Sequence, residues 1–193
     1  MNKNKVEFGL SNVHIMFEKE TGWDTPKVIP GAVTFSPELK TDETTFYADD
    51  IAYYSDVSGS TITGDLTMAL FPEWFLAGAL GAKTTEKGGI FFPTDSIKKR
   101  FCIWFEGKGD KNKVRRVLLS ASAGPVKEEY KTLEDKKDIK TQVVPITVIG
   151  LPVGASGTMV TNFNVYEGDA LYTALETGLP DFKTLVLTDI AGV

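Results

Sequence analysis

With a single cysteine, Cys102, and a single histidine, His14, the sequence lacks the side chains on which much enzyme chemistry depends. No internal disulfide can form, which excludes the disulfide scaffolds of small secreted proteins. A Ser-His-Asp or Cys-His device would have to use His14, and a zinc site built from several histidines of one chain is impossible. His14 falls on the polar side of an alternating strand, where an ordinary surface or interface histidine is expected. Cys102 lies in the apolar run 101–105 and is expected to be a buried, inert thiol. No apolar stretch approaches the roughly 20 residues a membrane helix needs, and residues 1–5 are polar. No membrane insertion is expected, and the chain should be made in soluble form in a cytoplasm.

Basic charge is short as well: 21 Lys and Arg stand against 26 Asp and Glu, a formal net charge of -5. A nucleic-acid binder needs Lys and Arg to displace phosphate counterions, so DNA that comes near this protein should slide rather than stick. Basic residues cluster only at 98–100 and 111–116, positions where strand ends and turns carry such charge routinely. Phosphate loops are missing too. Residues 150–158 have suggestive glycine spacing without the essential Lys, and Gly107-Lys108-Gly109 opens no helix, so it is a hairpin turn. Asp49, Asp50 and Asp56 are crowded enough to raise the question of calcium. Asp56, Ser58 and Ser60, however, lack the following Gly and later Glu of an EF-hand loop, and a solvated acidic loop is expected. No catalytic residue, no cofactor and no metal is expected, and no internal repeat is visible.

What is present is period-two patterning. At 193 residues with 42% hydrophobic content the chain fits one domain, residues 1–193, with a substantial core. Val33, Phe35, Pro37 and Leu39 alternate with polar residues, as do Val13, Ile15 and Phe17, and Met159, Thr161, Phe163 and Val165. In the cleanest case Ile62, Leu66, Met68 and Leu70 oppose Thr61, Thr63, Asp65 and Thr67. Residues 100–106 and 142–149 are apolar on both faces and read as central strands covered on both sides. Residues 107–112 read as a hairpin turn between strands. Two short helices are expected. One has Pro72 at N1, Glu73 at the positive end and Gly81 as terminator; the other runs from Asp169 as N-cap to Gly178. The first has almost no polar face and must be packed away; the second is amphipathic and should lie on a sheet. Residues 40–59, 82–89 and 150–157 are the loop candidates.

Residues 44–54, Thr-Thr-Phe-Tyr-Ala-Asp-Asp-Ile-Ala-Tyr-Tyr, are too aromatic for a plain loop and suit an element that docks on another surface. Around them a sequence order emerges: Gly9-Leu10-Ser11-Asn12-Val13-His14, then Pro30-Gly31-Ala32-Val33, then Phe46-Tyr47-Ala48-Asp49-Asp50 with Tyr53-Tyr54, then Gly64-Asp65-Leu66. Pro72-Glu73-Trp74-Phe75-Leu76 and the strand-turn-strand 101–116 with Gly107, Asp110 and Lys111 follow. This order, spanning about residues 6–150, resembles the bacteriophage major tail proteins (tail tube proteins) of long-tailed phages of Gram-positive hosts.

The resemblance implies a mainly β fold: an antiparallel β-sandwich or barrel with a flanking short helix and a long protruding loop or hairpin. It also implies a structural virion protein. Such subunits form hexameric rings that stack into a tail tube for DNA ejection, alongside a tape measure and a tail terminator. On this reading residues 40–59 form the stacking element. Asp42, Glu43, Phe46, Tyr47, Asp49, Asp50, Tyr53 and Tyr54 would make inter-subunit contact, ordering on assembly and meeting the basic clusters at 98–100 or 111–116. Thr61, Thr63, Asp65 and Thr67 would line a lumen of net negative potential. Residues 150–193 match least, and their role stays open. Two alternatives stand beside it: a surface-exposed β-sandwich binding module for a carbohydrate or protein ligand, with Trp23, Trp74 and the Tyr pair as stacking platforms, and a small enzyme using Glu43, Asp49 and Asp50.

Overall fold

The computed structural model describes residues 9–20, 22–48, 51–130, 140–179, 181, 182, 185 and 187, with 42–48 and 51–58 through their backbone alone. In chain order the elements are β1 (Leu10–Phe17), β2 (Lys27–Val28), β3 (Ala32–Phe35), β4 (Glu38–Ala48), β5 (Ile51–Met68) and α1 (Glu73–Leu80). Then come β6 (Lys83–Thr84), β7 (Ile90–Phe91), β8 (Phe101–Gly107), β9 (Arg115–Ala123), β10 (Lys127–Glu128) and β11 (Gln142–Val148). The last elements among the described residues are β12 (Leu151–Val153), β13 (Thr158–Val160), β14 (Asn162–Val165) and α2 (Ala170–Thr177). Ten strands share one sheet with the central order β2-β1-β8-β9-β11-β5-β3, every pairing antiparallel.

The fold is organised by a sheet that is apolar on both faces in its middle. From β8, Phe101, Ile103 and Phe105 enter one cluster and Cys102 and Trp104 enter the other, as the two-sided reading of residues 100–106 requires. The first cluster also receives Val13, Ile15 and Phe17 from β1, Ile62, Leu66 and Met68 from β5, and Val144, Ile146 and Val148 from β11. Strands from both ends of the order thus face a common interior. Phe35 of β3 comes back to 5.4 Å from Phe105, so the sheet curls over this cluster as a sandwich. Each fully buried aromatic or aliphatic side chain here contributes about 1.5–3 kcal/mol.

Helix α1 plugs the first cluster with Phe75, Leu76, Ala79 and Leu80. It lies so close to β1 that a Cβ on Gly78 would stand 2.3 Å from the Phe17 ring, so only glycine fits. Pro72 is the N-cap rather than N1, one position from the expected start, and Gly81 ends the helix with φ 69°. Helix α2 covers the second cluster with Leu175, helped by Val153, Val165, Leu179 and Phe182. Strand β9 pairs β11 through Ala121, Ser122 and Ala123 and pairs β14 through Arg115 to Leu118, so the C-terminal part completes an edge that β11 leaves open.

Four sequence expectations are corrected. Residues 33–40 are two strands, not one: Ser36 and Pro37 cross closely over Gly64, where a Cβ would lie 2.5 Å from the Ser36 carbonyl oxygen. Val33 and Leu39 are consequently exposed. Residues 142–149 are covered on one face only, because β11 sits where the sheet has curled away from α2; Thr147 and Ile149 face outward. Leu70 lies beyond the end of β5 and is exposed. Finally, the loop candidate 40–59 holds two long paired strands, 40–48 and 51–59, the hairpin form of the protruding loop or hairpin that the resemblance implies. β4 and β5 pair from Glu38↔Thr63 to Ala48↔Ile51, because the Thr, Tyr, Ile and Val of this stretch suit extended backbone and each strand satisfies the other's polar groups.

The β8–β9 turn is held by one carboxylate. Asp110 is buried and accepts the N–H groups of Asn112 at 2.8 Å and Val114 at 2.9 Å. These bonds hold its carboxyl below the usual range, Val114 contributing most. A depressed folded-state pKa means that the stabilisation is complete above the ordinary Asp value of about 4 and is lost as pH falls through the folded value. Urea midpoints should therefore drop on acidification below about pH 4 in the native protein, and Asp110→Asn should flatten that dependence while lowering the neutral midpoint. An unchanged acid limb in the variant would refute the assignment.

Candidate assembly interface

The β4–β5 hairpin is the most conspicuous feature outside the sandwich. β11 pairs with β5 only from Ile62 to Met68, and β3 only from Leu66 to Met68. Beyond Thr61, β5 has β4 as its one strand partner among the described residues. The remaining ribbon, back to Ile51, is about 35 Å long at the usual rise per residue. Its register sets Phe46 opposite Tyr54, Tyr47 opposite Ala52, Asp42 opposite Ser58 and Glu43 opposite Val57, with a bulge between Phe46 and Tyr47. The side chains of these expected contact residues, the carboxylate of Asp56 and the whole of Asp49 and Asp50 lie outside the described residues. So do Tyr53 as a stacking platform, and Glu43, Asp49 and Asp50 as a catalytic set.

Where β5 joins the sandwich, Thr61, Thr63, Asp65 and Thr67 all fall on the face away from the core, while Ile62, Leu66 and Met68 are buried. Register extends that outer face. Lys40 stands opposite Thr61, Glu38 opposite Thr63, and Thr147 opposite Thr63 from the other side. Lys127 reaches to 4.0 Å from Asp65, both well exposed. The strand taken alone offers Thr and Asp without a base, but the face carries Lys40 and Lys127 against Glu38 and Asp65. Its charge is balanced. The strand pattern could not show this, because the lysines arrive on neighbouring strands.

The two expected basic clusters part company. In 111–116, Lys113 bonds Glu167 at 2.5 Å and Arg115 turns inward, with only 5% of its surface exposed. Arg115 meets Glu106 at 2.8 Å, Glu176 at 2.8 Å and the Tyr172 carbonyl at 2.6 Å, and it lies over the rings of Tyr172 and Trp104. His14 stacks on Trp104 at 3.9 Å, with Nδ1 3.0 Å from the Asn12 carbonyl. Burial holds this imidazole below its usual range, against the opposing pull of that carbonyl. His14 thus belongs to a stack joining β1, β8, β9 and α2, not to open surface. Sequence reasoning missed this stack; the available signal was an arginine at an inward position of a strand, with Glu106 directly opposite in a hairpin. In 98–100, by contrast, all three residues are exposed, and among the described residues only Arg100 makes a side-chain bond, to Ser120 at 2.9 Å.

The remaining candidates are structural. Cys102 is fully buried, which pushes its thiol up and keeps it protonated. Trp74, half-buried, meets Phe17 and Phe75 edge-on and packs against the first cluster, with Lys27 over its ring. Trp23 packs edge-on to Phe182 in a cleft of about 460 Å³ whose rim carries Glu18, Glu20 and Asp181.

A sequence model of phage tail tube proteins matches residues 10–147, from the start of β1 to the penultimate residue of β11. The chain belongs to the phage tail tube protein family. It is a structural protein of the phage tail, and the sandwich, α1 and the hairpin all lie inside the matched region. The tail tube protein's β12 to α2, with the cover over the second cluster, lie beyond it. Among solved structures, the tail tube protein is similar to the sheath-tube complex of PVC, an extracellular contractile injection system, in its extended state. That match has 11% identity and a TM-score of 0.47 over 84% of this chain and 93% of that one. The baseplate of the anti-feeding prophage is similar at 8% identity and a TM-score of 0.46, over 86% of this chain and 97% of that one. Comparison with curated proteins found no match.

Proposed function

We propose that the tail tube protein polymerises as stacked rings of six subunits into the conduit through which phage DNA leaves the virion. Residues 40–59 form the inter-ring element, and Thr61, Thr63, Asp65 and Thr67 face the lumen. The observation that carries this reading is the hairpin: a two-stranded ribbon alone is marginally stable in water, so one projecting this far needs a second surface to rest on. Ring closure and head-to-tail stacking supply such a surface at every subunit. A hydroxyl-rich wall with balanced charge suits a polyanion in transit, since net positive charge would retain it. The protein acts without cofactor or catalytic step, meets a tape measure and a tail terminator along the tube, is made in the host cytoplasm and ends in the virion. Negative-stain microscopy of the purified protein tests this directly. Rings or hollow tubes are expected; monodisperse monomers across protein concentration, salt and pH would reject the proposal.

A further inference from the structure

Between α1 and β8 the chain makes an excursion, residues 82–97, that leaves and returns at one place. Its base is clamped. Ser96 Oγ donates to the Leu80 carbonyl at 3.0 Å, and the Lys99 N–H donates to the Gly78 carbonyl at 3.0 Å. Gly81 lies so close that a Cβ there would stand 2.5 Å from Ser96 Cβ. Above the clamp, β6 and β7 pair as a two-stranded sheet of their own.

This loop carries its apolar side chains outward. Ile90, Phe91, Phe92 and Ile97 are 39%, 53%, 55% and 90% exposed, and none joins either core cluster. So much apolar surface on one short loop marks an interaction site. Within the loop Lys83 and Lys87 balance Glu86 and Asp95, and the net positive charge comes from Lys98 and Lys99 directly after it, in a chain that is acidic as a whole. The loop is therefore an apolar pad with a basic pair, Lys98 and Lys99, at its base.

We propose that this pad receives the β4–β5 hairpin of a second copy of the chain, a step that rests on the stacked-ring reading. Complementarity names the occupant. The hairpin sequence 41–58 holds Asp42, Glu43, Asp49, Asp50 and Asp56 with no Lys or Arg, together with Phe46, Tyr47, Tyr53 and Tyr54. Opposite potentials set register, and aromatics seated on an apolar pad supply the anchor. In the rival basic cluster Arg115 is buried and Lys113 is paired with Glu167 at the surface, which leaves Lys111 as its exposed base outside these contacts. The contact is made in trans: Ile97 is 90% exposed in the isolated chain, so its own hairpin does not cover it.

Two variants of different mass, each with one added cysteine, Ile97→Cys and Tyr54→Cys, should be mixed, polymerised and oxidised. Cys102 is fully buried and stays silent. The expected product is a mixed disulfide dimer carrying one chain of each kind. Independently, Lys98→Glu with Lys99→Glu should raise the concentration needed for tube growth about tenfold or more, and adding Asp49→Lys with Asp50→Lys should restore it. Tubes that form from the mixed variants without mixed dimers, or unchanged growth of the Lys98→Glu, Lys99→Glu variant, would each overturn the pad alone. Failure of the wild-type protein to form tubes would remove the ring reading and the pad with it.

Discussion

Replacing Tyr47, Tyr53 and Tyr54 with alanine should leave a folded, soluble tail tube protein that no longer grows into tubes. The three tyrosines sit on the part of the β4–β5 ribbon that, among the described residues, no other strand supports. Thermal unfolding should therefore change little. Assembly should change greatly, because truncating an aromatic anchor at an interface costs about 2 kcal/mol or more, and each 1.4 kcal/mol is about tenfold in affinity. The same contact recurs at every subunit of every ring. Sedimentation or microscopy above the wild-type polymerising concentration should show dispersed protein. Normal tubes from the variant, or an assembled tube in which the hairpin lies on its own sandwich, would show that the ribbon is not the stacking element.

Arg115→Met should produce the largest loss of stability, about 3 kcal/mol. Arg115 is 5% exposed and ties β8, β9 and α2 through Glu106, Glu176 and the Tyr172 carbonyl. Removing one member of a buried pair strands the other, and such losses run to about 3–5 kcal/mol. The lower end applies because the Glu106 side chain keeps 19% of its surface in solvent. Glu176 is 56% exposed, so Glu176→Gln should cost under about 1 kcal/mol. Arg115→Lys keeps the charge but loses the fork and the stacking over Tyr172, and should fall between the two. Urea denaturation measures all three, and amide exchange should show α2 opening first in Arg115→Met. A loss below about 1 kcal/mol would show that Leu175 and its apolar neighbours hold α2 without the arginine.

The parts legible in the sequence were those that depend on neighbours along the chain. Alternation from Val13 to Phe17 and from Ile62 to Met68 declared which side is buried, since side chains of a strand alternate whatever it pairs with. Gly81 and Gly178 marked the ends of both helices, because termination is a local backbone matter. The ordered motifs from Gly9 to Lys111 were enough to find the family, which the match over residues 10–147 shows.

What escaped needed partners distant in sequence. Residues 142–149 are apolar throughout, yet one face is uncovered, because the sheet's curl decides which strands α1 and α2 can reach. Residues 40–59 looked like a loop because they are polar and acidic, and it is cross-strand pairing that makes 40–48 and 51–59 strands. The sequence determined a β-rich chain with one His and one Cys, whose local patterns name strands, turns and the family. Only the tertiary structure decided that Arg115 is internal while Lys98 and Lys99 face outward, and that Lys40 and Lys127 neutralise the Asp65 face. The reason is physical: burial and charge pairing are set by distances between strands, and a linear pattern contains no such distances until the sheet has closed.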